Sequence, residues 1–162
     1  MNAKHSLENP NNKKETSVNN IAIGADHRGY RYKASLMNRF AIDGYSITWI
    51  DVGTYNETRT DYPEYAKAVC EKIDEGEAQC GILLCGTGIG MAVVANRYKG
   101  IYAGVVWNEQ IARLSKEDDN VNVLVIPADF VTEDEVHDMV YAWLTASFLE
   151  GRYQKRLSMI DE

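Results

Sequence analysis

Short runs of apolar residues alternate along this chain with stretches whose apolar positions recur at helical spacing. Five runs lack strict polar alternation, at 21–25, 46–50, 81–84, 101–106 and 121–126. This pattern is typical of strands that are covered on both faces. Helical spacing follows the runs over about 30–42, 63–75, 89–98, 110–114 and 133–145, and a short terminal helix is predicted over 152–160.

Repeated strand–helix alternation predicts an α/β fold in which helices cover both faces of an open, five-stranded parallel sheet. The chain of 162 residues is expected to form a single domain over 20–162, after a disordered tail over 1–19 that is polar in composition. In open parallel sheets, ligands bind beyond the carboxyl ends of the strands. The candidate functional residues are therefore those that directly follow each run.

The strongest local signal is the segment CGTGIG over 85–90, after the third run. Its alternate glycines, Gly86, Gly88 and Gly90, let the backbone approach a ligand closely and present N–H groups. The helix predicted from about Ile89 adds a partial positive charge that favours an anion. Cys85 opens the loop, where the same field is expected to lower its pKa below about 8.5. The segment therefore predicts a thiolate base beside an anion-binding loop.

This segment also allows other interpretations. A glycine-rich loop is weak evidence by itself, and a cysteine that ends a strand is often a packing residue. A dinucleotide site is disfavoured, because the motif follows the third strand and has no matching acidic residue about 20 positions on. A nucleotide phosphate loop is excluded, because no Gly-Lys-Ser/Thr sequence follows.

Two further segments carry candidate chemistry. Asp26 and His27 directly follow the first run, and His27 is the one histidine of three at the predicted active edge. Arg152 and Arg156 are four residues apart, so on a helix they share one face. Paired guanidinium groups suit phosphate binding. Taken singly, each segment is also compatible with a structural or solvent-facing role.

Composition narrows the classes of function. The chain has 17 Lys+Arg against 24 Asp+Glu, a formal charge of −7, which argues against nonspecific binding to nucleic acid or an anionic membrane. No apolar stretch approaches the roughly 20 residues that span a bilayer, and the N-terminal segment lacks the apolar run of a secretory signal. An odd number of cysteines without an export signal predicts reduced thiols and a cytoplasmic protein.

Together these segments resemble the ribose-5-phosphate isomerase B family, which also includes the galactose-6-phosphate isomerase subunits. The resemblance runs from about residue 20 to 160 in the segments GADHRG (24–29), DVGTY (51–55), RTDYP (59–63), CGTGIG (85–90), Ala-Asn-Arg (95–97) and GRYQKR (151–156). It implies a Rossmann-like three-layer α/β/α fold and a homodimer or homotetramer with active sites at the subunit interface. It implies neither a metal nor an organic cofactor.

The resemblance also implies roles for individual residues. Cys85 takes the proton from C2 of a sugar phosphate and returns it at C1, through a cis-enediolate that the glycine loop stabilises. Asp26 and His27 assist ring handling and substrate binding, and Arg152 and Arg156 hold the phosphate. The loop residues assigned to proton transfer, charge stabilisation and substrate binding are Cys85, Gly86, Thr87, Gly88, Ile89 and Gly90.

Three positions depart from the family pattern. Members usually have a His-Asn pair, whose histidine opens the sugar ring, where this chain has Asp118 and Asp119. Because a carboxylate also accepts a proton, Asp118 is the candidate for ring opening and Asp119 for substrate binding. Asp129 falls where members often have an arginine that reaches the phosphate, and Tyr153 where they often have a histidine.

These departures leave several functions to be weighed. The first hypothesis is an aldose–ketose isomerase of a small sugar phosphate, with ribose 5-phosphate as the first candidate substrate. The alternatives are an isomerase of another sugar or sugar phosphate, such as a hexose or a tetrose, and a sugar-phosphate-binding subunit that needs an active partner. Cys85 favours an enzyme, whereas Asp118 and Asp129 favour a dependent subunit. A cysteine hydrolase is disfavoured, since His27 is its one credible histidine partner.

Overall fold

Strands and helices alternate in the computed structural model, which describes residues 17–161. The strands are β1 (Ser17–Ala25), β2 (Tyr45–Asp51), β3 (Cys80–Cys85), β4 (Ala103–Val105) and β5 (Val123–Pro127). The helices are α1 (Tyr30–Arg39), α2 (Tyr62–Asp74), α3 (Ile89–Ala95), α4 (Glu109–Asp119), α5 (Glu133–Thr145) and α6 (Arg152–Ser158).

The five strands are all parallel and lie in the order β2-β1-β3-β5-β4. After β1 the chain moves outward to β2, whereas after β3 it moves outward in the opposite direction, toward β4. The strand order therefore reverses between β1 and β3, which is where ligands bind in open parallel sheets. The predicted five-stranded parallel sheet is confirmed.

Two apolar layers cover the two faces of the sheet. One layer joins alternate strand residues such as Ile82 and Leu84 to helices α1, α4 and α5. The other joins Leu83 and Cys85 to helices α2 and α3. Since successive side chains of a strand point to opposite faces, a strand buried on both sides needs apolar residues at nearly every position. This explains the uninterrupted apolar runs and confirms the three-layer arrangement.

The first strand begins earlier than predicted. Strand β1 starts at Ser17, and its first three residues pair in register with residues 45–47 of β2. The strand therefore extends before the first apolar run, because Val18 stands between two polar residues and gives little apolar signal while the backbone of all three residues still pairs. The rest of the predicted tail, residues 1–16, lies outside the described residues.

The end of the first helix also differs from the sequence pattern, which predicted a helix over about 30–42. Helix α1 ends at Arg39 because Phe40 takes an extended conformation, with its ring edge-on to Trp49 at 6.3 Å between centroids. No helix within residues 17–161 is long and apolar enough to cross a bilayer.

A buried ion pair joins helix α1 to the end of strand β2. Lys33 is only 1% exposed, and its Nζ lies 2.5 Å from Oδ1 of Asp51. The same oxygen accepts the N–H of Gly53 at 2.9 Å. The pair therefore holds the turn after β2, at the edge of the sheet where the candidate residues lie.

Replacement of Lys33 by Met is expected to destabilise the protein by about 3 kcal/mol, because it leaves the Asp51 carboxylate without its cation. Urea unfolding measures this change in free energy. Arg39→Met is the control: its ion pair with Glu133 is exposed, so its loss is expected to cost less than about 1 kcal/mol. Equal costs for the two variants would contradict a structural role for the buried pair.

Candidate active site

The loop after β3 wraps the Cys85 sulfur in backbone N–H groups. Cys85 is 5% exposed, and its Sγ accepts the N–H of Gly88 at 3.2 Å. Gly88 has a φ of +76°, a left-handed conformation that favours glycine. This turn brings the chain back over the sulfur before α3 begins at Ile89. Thr87 is exposed at the top of the loop.

Asp26 and His27 lie beside this loop, as predicted, because β1 and β3 are neighbours. The N–H of Asp26 donates to Leu84 O at 3.1 Å. Asp26 is 6% exposed, and its Oδ1 accepts the N–H groups of Arg28 at 2.8 Å and Gly29 at 3.2 Å. A side chain at Gly29 would place Cβ 2.4 Å from Leu84 O. Glycine at this position therefore lets the start of α1 approach β3 closely.

Thr60 and Tyr62 of the RTDYP segment, together with Tyr65 just after it, contribute to the site, although the sequence assigned them no individual role. The N–H of Thr60 donates to Nδ1 of His27 at 3.4 Å, which leaves Nε2 of the imidazole to carry a proton. Thr60 Oγ1 lies 2.8 Å from the hydroxyl of Tyr65. The ring of Tyr62 lies so close to Gly90 that an added Cβ would be 2.6 Å from it. The signal in the sequence that could have pointed to these residues is that RTDYP is one of the motifs that carry the family resemblance.

The pKa of the Cys85 thiol is raised, so the prediction of a lowered pKa was wrong. Burial is the main cause, and the charge of Asp26 adds to it. The N–H groups of Gly88, Met91 and Thr87 act in the predicted direction and lower the pKa, but their combined effect is smaller. Desolvation disfavours a thiolate more strongly than these donors stabilise it. The resting thiol is protonated, and its thiolate is a stronger base than an exposed one.

The other predicted residues lie together near the end of α4. Arg152 and Arg156 flank the ring of Tyr153, with guanidinium carbons 4.8 and 5.6 Å from its centroid. The pKa of Arg152 is raised mainly by a hydrogen bond to Tyr153, and the charge of Asp118 adds a smaller effect in the same direction. The N–H of Leu149 donates to Glu117 O at 3.0 Å and so ties the start of this segment to α4. We call Asp118, Asp119, Arg152 and Arg156 the arginine cluster.

The arginine cluster is at the opposite edge of the sheet from the thiol cluster, which comprises Asp26, His27 and residues 85–90. Helix α4 begins near the carboxyl end of β4 and runs back for 11 residues, about 16 Å. It ends just before β5, whose last residue, Pro127, pairs with Cys85. A single chain therefore keeps the two groups of predicted residues apart.

A cleft of about 740 Å³ lies at the same edge of the sheet as Asp119. It is bordered by the segment between α3 and β4, including Arg97 and Lys99, and by Leu157 of α6. Among residues 17–161, no three His, Cys, Asp or Glu side chains are grouped so that they could hold a metal ion.

Asp129, which stands where an arginine was expected, is paired with a cation. Its carboxylate forms an ion pair with Arg28, and its N–H donates to Gly86 O at 3.1 Å. The negative charge that the sequence placed at this edge is thus neutralised by a residue of the GADHRG segment.

Comparison with known proteins agrees with this geometry. The family model described as Ribose/Galactose Isomerase matches residues 21–160. The chain belongs to the ribose/galactose isomerase family. This confirms the resemblance noted from the sequence motifs, and with it the prediction that the protein is an isomerase.

Several relatives in the ribose/galactose isomerase family are similar over most of their length. Ribose-5-phosphate isomerase B of Escherichia coli K12 is 38% identical, over 86% of this chain and 93% of its own. The isomerase B structure from Thermotoga maritima is 39% identical, covers 88% and 97% of the two chains, and has a TM-score of 0.82. The structure from Mycoplasma genitalium, with bound ribulose 5-phosphate, is 35% identical with a TM-score of 0.81, over 90% and 95%.

The effect of Asp26 on the pKa of Cys85 can be tested by chemical labelling, without an assay of isomerase activity. Asp26→Asn removes a negative charge that raises the pKa of Cys85, while the amide oxygen can still accept the same N–H groups. We expect the pH midpoint of iodoacetamide alkylation at Cys85 to shift to lower pH, because less repulsion opposes the thiolate. The rates are measured in a Cys70→Ser, Cys80→Ser background, so that Cys85 is the thiol that is alkylated. Burial raises the pKa values of Cys70 and Cys80 to about 11 and about 12, and their removal keeps them from reacting at the high-pH end of the titration.

Asp138→Asn, on the exposed side of α5, is the matched control for this charge change and is expected to leave the midpoint unchanged. An unchanged or higher midpoint in Asp26→Asn would show that the carboxylate does not act on the sulfur.

Proposed function

We propose that the protein interconverts ribose 5-phosphate and ribulose 5-phosphate, with Cys85 as the base that moves the proton. One observation carries the proposal: a thiol at the carboxyl end of a central strand lies under a glycine turn, beside Asp26 and His27. The relatives that share this fold include an isomerase B with ribulose 5-phosphate bound. We also propose a cytoplasmic location, which the unpaired thiols Cys70, Cys80 and Cys85 support.

The proposed proton transfer uses groups of the thiol cluster. The Cys85 thiol first loses its proton to solvent. The thiolate then takes the proton from C2 of the open-chain aldose, and the electron pair of that C–H bond forms the C1–C2 double bond of an enediolate. The N–H groups of the loop stabilise the developing negative charge on oxygen, an effect typically worth about 3 kcal/mol per donor. A proton also passes from the C2 hydroxyl to O1, and the Cys85 S–H then returns its proton to C1 while the C2–O bond becomes a carbonyl, which gives the ketose. The exposed Thr87 hydroxyl is in position to bond a substrate oxygen.

Ring handling and phosphate binding require groups from both edges of the sheet. His27, with Nδ1 bonded to Thr60, presents Nε2–H to the substrate. We assign ring opening to Asp118, substrate binding to Asp119, and phosphate binding to Arg152 and Arg156. Since one chain holds these groups at the edge of the sheet opposite the thiol, about the length of helix α4 away from the edge where β4 ends, we propose that a second copy of the chain supplies them.

Exposed apolar residues near the glycine loop fit this assembly. Ile89 and Val93, one helical turn apart on α3, are 63% and 55% exposed. Residues four apart lie on one helix face, so these two form an apolar strip directly beside the thiol cluster. Burial of that strip against a partner would join the two clusters into a complete site. Homodimeric assembly is the minimum that this requires, and a homotetramer also satisfies it.

Cys85→Ser is expected to reduce isomerisation by at least about 100-fold, because a serine hydroxyl is a far weaker base. Exchange of solvent deuterium into C2 of ribose 5-phosphate, followed by NMR, measures the proton transfer directly. The matched control is Cys80→Ser, at the other end of the same strand, which is expected to retain activity. Near-wild-type exchange in Cys85→Ser excludes the thiolate mechanism.

A shared site makes a further prediction about mixed subunits. Cys85→Ser and Arg156→Gln are each expected to be nearly inactive, yet a dimer with one subunit of each type has one intact site. Random exchange should restore about a quarter of wild-type activity, because half of the dimers are mixed and half of their sites are complete. Mixing after mild dissociation, with activity assayed at constant total protein, tests this. No recovery despite proven exchange, shown by mass spectrometry, would place both groups in one chain.

A different sugar substrate is the second candidate, and Asp118 and Asp129 favour it because both replace basic groups usual in the family. Parallel assays with ribose 5-phosphate, allose 6-phosphate and galactose 6-phosphate distinguish the substrates. Activity of the purified protein with any of them excludes the hypothesis of a subunit that depends on a different partner.

A further inference from the structure

An ion pair covers the residue that follows the catalytic cysteine. Arg28 follows strand β1 and Asp129 follows strand β5, which lie on either side of β3, and the two side chains meet above Gly86. A Cβ on Gly86 would lie 2.8 Å from both Arg28 Nε and Asp129 Oδ2. The missing side chain of Gly86 is therefore the space that the pair occupies.

Arg28 supplies a positive charge at an edge of the sheet that otherwise carries carboxylates. Asp26 and Asp129 place two carboxylates at this edge, and a negatively charged sugar phosphate that approaches carboxylates is repelled. Arg28 contributes a full positive charge next to Gly86. Its side chain is 55% exposed, whereas that of Asp129 is 28% exposed. The carboxylate lies underneath and the guanidinium faces the solvent side of the loop.

The chemistry of the guanidinium suits a second, external anion. It has five N–H donors in a planar fork, and one carboxylate can engage only some of them. Outward-facing donors of such a fork match the oxygens of a phosphate. Asp129 keeps the fork in place at Gly86, because its own backbone N–H is bonded to Gly86 O at 3.1 Å.

We propose that Arg28 binds the phosphate of the substrate and that Asp129 is the positioning residue that holds the guanidinium over Gly86. This inference rests on the proposed function and adds to it a phosphate ligand on the same chain as Cys85. In the complete site, Arg28 acts with the arginine cluster of the second copy.

Arg28→Gln tests the binding role. Loss of one charge-assisted contact is expected to raise KM for ribose 5-phosphate about tenfold, with kcat changed less than about threefold, since Arg28 does not touch the reacting carbons. The inhibition constant of inorganic phosphate should rise by a similar factor. Arg31→Gln is the matched control, because Arg31 loses the same charge from an exposed pair with Glu57, and its constants are expected to stay unchanged.

Two more variants separate positioning from mere packing. Arg28→Lys keeps the charge without the fork, so its KM should fall between those of wild type and Arg28→Gln. Asp129→Asn should raise KM about threefold, less than Arg28→Gln, with unchanged kcat, because the guanidinium is kept but less well held. An unchanged KM and phosphate inhibition constant in Arg28→Gln overturn the proposal, as does a fall in kcat alone. Thermal unfolding confirms that each variant is folded.

The outcome can be distinguished from failure of the proposed function. If the wild-type protein isomerises no sugar phosphate, binding of inorganic phosphate is measured by equilibrium dialysis instead. Weaker phosphate binding in Arg28→Gln than in Arg31→Gln still supports the Arg28 assignment. Equal binding in the two variants, or no binding by the wild type, overturns it.

Discussion

The pairing of β1 with β3, followed by connections that leave in opposite directions, is the constraint on which the rest of the structure depends. It opens a crevice at one edge of the sheet and brings Asp26 beside Cys85 through the bond from Asp26 N–H to Leu84 O. Two glycines make this arrangement possible. Gly29 allows the start of α1 to approach β3 closely, and Gly88 has the positive φ that the loop after β3 requires. A chemical site follows from the topology because parallel strands end at the same edge.

The position of the cysteine involves a conflict between two physical effects. Backbone N–H groups of the loop stabilise a thiolate, whereas burial and the nearby Asp26 destabilise it, and burial is the largest effect. A protonated resting thiol is less open to oxidation and alkylation, while the thiolate that forms beside a substrate is strongly basic. In the proposed mechanism, the same loop donors also stabilise the oxygen that gains charge as the proton leaves carbon.

The division of candidate residues between two edges of the sheet follows from helix length. Helix α4 carries Asp118 and Asp119 away from the edge where β4 ends, and α6 places Arg152 and Arg156 next to them. No change of side-chain rotamer spans such a distance. In the assembly that we propose, a second copy unites the clusters, and the exposed strip of Ile89 and Val93 is the surface that the copy covers.

The sequence by itself determined the layers, the strand edges and the thiol cluster, because burial on both faces requires unbroken apolar runs and because glycines mark tight turns. Asp26, His27 and Cys85 were predictable from their positions after those runs. Tertiary structure alone decided the sign of the Cys85 pKa shift, since desolvation depends on what packs around the sulfur. It also decided that Arg28 neutralises Asp129, a contact between residues 101 positions apart in the chain, and that Asp118 lies far from Cys85. Local patterns do not encode such distances, because they arise when separate elements pack.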